Sequence, residues 1–405
     1  MSAYSLANHE GSDPKTHIMR VALVIWTNPD YYQVVIHTSQ ILSEDGHQVD
    51  VLCRATGETF MGNVDYASST RVFRYGKKRK GFRNYIDFLR YLAFTARMSI
   101  KFKYDLIIGY DMFGLIAAFL MTRFRRKKAF LVYHNFDLAD KRALGFFGRQ
   151  LKRIERVASR KANLVIFPTE DRARIFQGEV KLAREPMIVM NSQRISPAFK
   201  RTEELRRISN ERGIKASKFV IRLGSIAPGH AIEATIRSVK YWQEDWALVL
   251  LGVPLGDYMP SMQRLVGELG LTQKVLFIPN ATYEMWDACL QGADVGLSLY
   301  EPINVNHQAL GGIGGQKTFY YMKAGIPSVV PALPDFLKMV DKYKFGVVAD
   351  PSDPVSIARS INDVLSDDAQ YNFLARAARH AFVKEFNFEN QFAPVLKLIT
   401  DSLGH

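Results

Sequence analysis

Gly311 to Lys317, GGIGGQK, places four glycines in five residues directly ahead of a lysine. Glycines suit a loop whose backbone must approach a ligand closely or take φ > 0. A helix is expected to start near Gln316 or Lys317, and its free N–H groups and positive dipole end make an anion site. Lys317 adds a full charge where helices usually prefer acids. A phosphate opposite Lys317 explains that choice; a flexible surface loop with a solvated lysine is the plainer alternative.

Other chemistry-bearing residues stand at the ends of expected strands. His134 closes AFLVYH, where an imidazole can touch a donor sugar or an acceptor hydroxyl, or orient a reacting group. Asp111, in GYDMFG, suits sugar hydroxyls or, more simply, the cap of the following helix. Asn28 and Asp30 follow the first strand, in WTNPDYY. Gly224 and Ser225 end FVIRLG and its turn, Arg222 lies inside that strand, and His230 closes APGH. Glu301 and Asn304, in YEPIN, precede the glycine loop.

The elements that position these residues alternate regularly. Continuous Val/Ile-rich runs lie at 19–26, 48–53, 70–75, 105–109, 129–134, 164–168 and 187–191. A polar stretch, 195–218, interrupts them. They resume at 219–224, 246–252, 275–279, 294–299, 328–331 and 345–350. Runs of this kind between helical stretches predict parallel sheets buried on both faces. The expected organisation is a disordered lead-in (1–18), an acceptor-side domain (19–195), a linker (196–218), a nucleotide-binding domain (219–365) and C-terminal helices (366–405) packing back across both. Loops beyond the carboxyl ends of two such sheets would line one cleft.

QKTFYYMKAGIPSVV (316–330) resembles the nucleotide-sugar segment of family 4 (group 1) glycosyltransferases of the GT-B fold, in which two doubly wound, Rossmann-like α/β domains face each other across a cleft. Lys317, Phe319, Tyr321, Met322, Ala324, Gly325, Ile326 and Pro327 match. EDGHQVDVLC, FLVYHNFD and RLGSIAPGHAIEATIRSV resemble further segments in the expected order. The resemblance implies transfer of a sugar from a nucleotide-sugar donor to a glycan or lipid-linked acceptor. Retention, no tightly bound cofactor or metal, and a role in surface polysaccharide or glycolipid synthesis go with it. The chain has no Asp-x-Asp. It implies His134, Lys317 and Glu301 as catalytic candidates. It implies Gly224, Ser225, His230, Asn304, Gly314, Gly315, Gln316, Lys317, Thr318 and Tyr320 around the donor.

Three departures stand out. The family's ribose-binding glutamate falls at Tyr320. The basic residue after the first strand of the nucleotide domain is replaced around Ser225, and its companion lysine is missing from APGH, leaving Arg222 and His230 to compensate. The paired carboxylates are not obvious, although Glu301 resembles the first. A degenerate binding or regulatory protein on the same fold is the alternative these departures allow.

Composition limits the rest. The net charge is +14 over 405 residues, with 47% hydrophobic residues and only two cysteines, Cys53 and Cys289. A disulfide framework and a zinc site are not implied, and a reducing cytoplasm fits. The N-terminus does not read as a signal peptide, and no apolar run reaches membrane-span length. Arg71–Lys103 and Thr122–Ala162 each carry +10, so the remainder carries −6. A basic helix expected from Gly81, with aromatic neighbours, suggests an anionic membrane surface as partner through 77–103 and 122–161. No RNA-recognition, helix-turn-helix or zinc signature supports nucleic acid.

Overall fold

The computed structural model describes residues 18–55, 64, 66–76, 81–124, 128–139, 144–197, 200–313 and 315–404. Gly314, the lead-in and the KKRK run at 77–80 lie outside them.

Strands β1 (Arg20–Ile25), β2 (Gln48–Arg54), β3 (Thr70–Tyr75), β4 (Leu106–Tyr110), β5 (Phe130–His134), β6 (Leu164–Phe167) and β7 (Met187–Ile188) form one parallel sheet in the order β3-β2-β1-β4-β5-β6-β7. Helices α1 (Gln33–Glu44), α2 (Phe82–Phe102), α3 (Asp111–Met121), α4 (Phe146–Lys161) and α5 (Glu170–Gln177) connect them. The order reverses at β1, so the loops after β1 and β4 diverge and leave a crevice. Residues 21–25 of β1 are all buried, as expected for a strand covered on both faces.

Helix α6 (Glu204–Glu211) lies in the polar stretch read as a linker. The second sheet follows, in the order β10-β9-β8-β11-β12-β13, again all parallel. Its strands are β8 (Lys218–Leu223), β9 (Trp246–Gly252), β10 (Val275–Pro279), β11 (Val295–Leu297), β12 (Ser328–Pro331) and β13 (Gly346–Ala349). Its helices are α7 (Ile232–Ser238), α8 (Tyr258–Glu268), α9 (Tyr283–Leu290), α10 (Val305–Gln308), α11 (Gln316–Ala324), α12 (Pro334–Tyr343) and α13 (Pro354–Leu365).

Helix α14 (Asp368–Ala381) packs on the second domain, and α15 (Phe388–Leu403) returns to the first. Phe388, Phe392, Val395 and Ile399 are fully buried among Val21, Leu23, Val35 and Val51. Four such side chains contribute on the order of 6–12 kcal/mol of gross burial. The run expected as a strand at 187–191 makes only two residues of sheet. The chain then leaves as an extended strap, held where Phe388 N–H donates to Gln193 O at 2.8 Å and Ser192 Oγ donates to Phe386 O. Arg194 bridges Glu44 (2.6 Å) and Glu389 (2.8 Å), tying α1 to α15 through the strap.

Candidate active site

The cationic floor of the cleft is built where β8 ends and α11 begins. Gly224 has φ +96°, and a Cβ there would lie 2.8 Å from Lys317 Cε. Glycine is therefore needed both for the turn and for the space. Gly315, at φ +78°, starts α11 with no side-chain cap, leaving the first N–H groups open. Lys317 Nζ donates to Tyr300 Oη at 2.7 Å and stands 4.5 Å over the same ring.

Arg222 is 1% exposed, an uncommon depth for a guanidinium. Its Nη1 donates to Ser225 O at 2.8 Å, while Nε and Nη2 have no partner among the described residues. Neither Arg222 nor Lys317 makes an ion pair with a described residue. Burial, and then the Arg222 charge, pushes the Lys317 ammonium well below its usual range. Burial likewise lowers Arg222. A buried guanidinium and a half-buried ammonium, unneutralised beside a helix N-terminus, are costly in the unliganded protein and favour an anion.

One wall is aromatic. His230 lies 5.4 Å from Tyr300 and 5.0 Å from His307 between ring centroids. Burial first, then Lys317, Arg222 and His307, drives the His230 imidazole far below its ordinary pKa, so it is neutral. His307 Nδ1 is 3.0 Å from Glu301 O. Gly229 underlies this wall, since a Cβ there would strike Ile303 at 2.2 Å.

The acceptor-side domain presents acids. Asp111 has φ +52°, a strained conformation for a non-glycine residue. Its Oδ1 accepts from the N–H groups of Phe136 (2.7 Å) and Asp137 (3.3 Å), so it caps the loop after β5 rather than α3. Burial, then the Asp137 charge, pushes its carboxyl up to about 7. Asp137 also acts electrostatically on Tyr300 and His307, which places it across the cleft from the cationic floor.

The two sides are stitched at one seam. The Asn306 carboxamide accepts from Leu138 N (2.9 Å) and donates to Leu138 O (3.2 Å), and Arg172 Nη2 donates to Asn306 O (3.2 Å). Thr169 Oγ1 donates to Ala309 O at 3.1 Å. The glycine loop also walls an adjoining cavity of about 270 Å³, lined in part by Thr169, Arg172, Met190, Leu310 and Phe319.

The expected site residues divide into groups. Gly224, Ser225, His230, Gly315, Gln316 and Lys317 converge on or next to the floor, with Arg222. Thr318 is wholly buried, its Oγ1 bonded to Ser298 Oγ at 2.9 Å, and pins α11 to the end of β11. Asn304 caps α10, its Oδ1 accepting from His307 N at 2.9 Å. Glu301 stands at the rim, its N–H donating to Gly229 O and its carboxylate acting on Tyr258. Gly314 lies outside the described residues.

Tyr320 points away from the floor. It is 3% exposed, its ring meets Trp286 at 5.5 Å, and Gln193 and Asp287 face its hydroxyl side. On the helix Tyr321 and Tyr320 fall about 40° and about 60° to opposite sides of Lys317, Tyr321 toward the end of β8 and Tyr320 toward Trp286. The Tyr321 hydroxyl accepts from Leu223 N (3.0 Å) and donates to Leu297 O (3.1 Å), its ring filling the space left by Gly296. His134 is fully buried, walled by Tyr110 and Phe136, and burial lowers it to about 3. Its ring is wholly covered by these neighbours. Asn28 and Asp30 bind Arg74 (2.8 Å each) and build structure after β1. Sequence reasoning passed over Tyr300 and Asp137, in loops, and Asn306 and His307, in the four-residue α10; the polar run after Glu301 signals only the latter two.

Two parallel α/β domains closing on a cationic cleft define the GT-B class of architecture. The Glycosyltransferase Family 4 model matches residues 33–191 and the Glycosyl transferases group 1 model matches residues 204–381. The chain belongs to this glycosyltransferase family, and the two matches together take in both domains. An uncharacterized glycosyltransferase of Methanocaldococcus jannaschii is 23% identical over 192 residues, 46% of each chain, so the chain aligns with about half the length of this curated relative. Among solved structures, sucrose-phosphate synthase from Thermosynechococcus elongatus superimposes with a TM-score of 0.73 at 16% identity, over 95% of this chain and 99% of that one. HepE of Anabaena, in complex with UDP and glucose, gives 0.69 at 15% identity over 95% and 100%. WaaG, a glycosyltransferase involved in lipopolysaccharide biosynthesis, gives 0.65 at 16% identity over 95% and 100%. Among the described residues, no helix is long and apolar enough to cross a membrane.

Proposed function

We propose that the chain transfers a hexosyl unit from a nucleoside-diphosphate sugar to a hydroxyl of a glycan or lipid-linked acceptor. The carrying observation is that buried Arg222 and half-buried Lys317 meet at the α11 N-terminus without a carboxylate partner among the described residues. A diphosphate would take the open Arg222 donors, the Lys317 ammonium and the first N–H groups of α11. Those contacts would strengthen as the anomeric C–O bond breaks and its electron pair moves onto the phosphate. The acceptor oxygen forms the new bond to the anomeric carbon. With retention, its proton passes to the departing phosphate on the same face. Charge neutralisation by Arg222 and Lys317 supports a reaction that needs no bound metal.

Asp137, exposed and held by Arg172 at 3.2 Å, lies within electrostatic reach of Tyr300 and His307, where hydroxyls of either substrate would reach it, and Asp111 fixes its loop from behind. Neutral His230 and His307 shape the wall beside the diphosphate. The HepE complex with UDP and glucose makes a UDP-sugar the first donor to test. Likeness to WaaG favours a role in cell-surface glycan assembly at the cytoplasmic face of a membrane. A thermal-shift panel of UDP, ADP, GDP, CDP and dTDP tests the reading. A ligand at 100 times its Kd adds about 2.7 kcal/mol. A shift with one nucleotide, abolished in Lys317→Ala, supports the site; no shift with any of them overturns it.

A further inference from the structure

We propose that the outer face of α2 and α4 docks the acceptor-side domain on an anionic lipid bilayer, with the cleft mouth close to the lipid. The proposal rests on the transferase reading and narrows its acceptor to one presented at a membrane surface.

Helix α4 has an inverted distribution. It buries a charge pair, Lys152 (3% exposed) and Glu155 (1%), joined at 2.7 Å, with Glu155 accepting from Tyr133 Oη at 2.5 Å. It turns Phe146, Phe147, Ile154 and Val157 outward, Phe146 being 68% exposed. The bond from Tyr133 on β5 to Glu155 fixes the rotation of the helix and leaves these apolar side chains facing outward. Helix α2 adds Ile86, Leu89 (65% exposed) and Ile100. Tyr85 and Phe147 meet at 4.9 Å, joining the two helices into one patch. Contiguous exposed apolar surface of this kind marks an interaction site.

Cations are interleaved with the apolar groups: Arg83, Arg90 and Arg97 on α2, and Arg149, Arg153 and Arg160 on α4, all exposed. Among described residues, Arg90 has Asp87 at 3.8 Å and the other five make no ion pair. A nucleic-acid duplex would use the cations and leave the phenylalanines, Ile86, Leu89 and Ile154 in water, whereas an anionic bilayer satisfies both sets. Position adds to this. Helices returning from parallel strands begin at the carboxyl edge of the sheet, so Phe146, Phe147 and Ile86, in or near first turns, lie on the cleft side of the domain.

The test sediments the full chain with phosphatidylcholine vesicles containing 30% phosphatidylglycerol, and with phosphatidylcholine alone, at low and high salt. Binding is expected only with the anionic lipid, weakened about fivefold per charge in Arg149→Glu and Arg153→Glu. The double variant Phe146→Ser, Phe147→Ser should weaken it at least tenfold. The nucleotide thermal shift is read on the same samples and should be unchanged in all variants. If that shift is absent from the unaltered chain, the transferase reading fails independently of the lipid result. Failure to sediment with anionic vesicles overturns the proposal. So does undiminished binding by the serine variant, or equal binding to poly(U), since both would reduce the patch to a generic polyanion surface.

Discussion

Buried charge is handled oppositely on the cleft floor and in the rest of the molecule, where even the nucleotide domain's buried Asp294 meets Arg201 at 2.7 Å. In the acceptor-side domain, buried charges have partners. Asp50 meets Arg71 at 2.7 Å and Tyr104 at 2.7 Å, Asp30 meets Arg74 at 2.8 Å, and Lys152 meets Glu155 at 2.7 Å. On the floor, Arg222 and Lys317 approach each other with no carboxylate partner among described residues. Paired charges specify structure, and removing one partner strands the other. Unpaired cations raise the energy of the empty site and lower it when an anion arrives. The contrast separates residues that build the protein from residues that await a ligand.

The largest expected effect sharpens that contrast. Lys317→Ala should lower sugar transfer by roughly 10²–10³-fold, the scale of losing one donor to a developing charge. Its melting temperature should stay level or rise, because a desolvated ammonium has been removed. Steady-state transfer and a thermal melt on one preparation check both. Intact turnover would remove Lys317 from the machinery. Binding should also draw a proton. Lys317 sits well below its usual range in the free protein, and an anion favours its charged form. Calorimetry of UDP binding in two buffers of different ionisation enthalpy should report net proton uptake.

Asp50→Ala is the converse experiment. It leaves the buried Tyr104 hydroxyl without its acceptor, while half-exposed Arg71 turns to water, and should cost about 1–3 kcal/mol of stability. Nucleotide binding should persist at temperatures where the variant is folded. Denaturant melts with a UDP titration measure both, and weakened UDP binding in the folded variant would break the division between the floor and the rest of the molecule.

Much of the fold was legible because both sheets are parallel and doubly covered, which writes each strand as a short apolar run. The strand at 187–191 was overextended because Met187–Asn191 reads apolar while only two residues find a partner strand. The floor of the site was legible at Gly224, Gly315 and Lys317, where backbone conformation and charge are fixed by residue type. Tyr320 was not: position along a motif does not tell which side of a helix meets the ligand, and the three-residue step from Lys317 turns it toward Trp286. His134 stands at the right strand end, but strand position does not reveal that Tyr110 and Phe136 close over it.

Asp111→Asn tests the acid side. Asparagine tolerates the positive φ and keeps an acceptor for Phe136 N–H. The Asp111 carboxyl is raised to about 7 in the folded chain against 3.8 for its ordinary value. The folded state therefore binds more protons between these values, and stability from this group falls as pH rises through that window. The variant should gain roughly 1–3 kcal/mol over the parent at pH 8, with no advantage below pH 4. Chemical denaturation across pH decides it, and a pH-independent difference would show that Asp111 is not a buried, raised acid.

The smallest effect belongs to the seam. Asn306→Ala removes the reciprocal pair of bonds to Leu138, each worth about 0.5–1.5 kcal/mol. Other cross-domain contacts remain, among them Arg172 to the Asn306 carbonyl, Thr169 to Ala309, and Tyr283 Oη to Asp30 O at 2.8 Å. The Asn306 carbonyl survives the substitution, so Arg172 keeps its acceptor. Global stability should therefore fall by no more than about 2 kcal/mol. The domains, however, should separate more readily. Closure in such enzymes excludes water that would otherwise hydrolyse a bound donor. The informative readout is thus a ratio: donor hydrolysis without acceptor, relative to transfer with it, should rise in Asn306→Ala. Small-angle scattering should show a larger radius of gyration in the unliganded variant that returns to the parent value with UDP. If the ratio and the radius both stay at parent values, the Asn306–Leu138 pair is a passive contact, and closure is held by the remaining cross-domain contacts with the strap and α15.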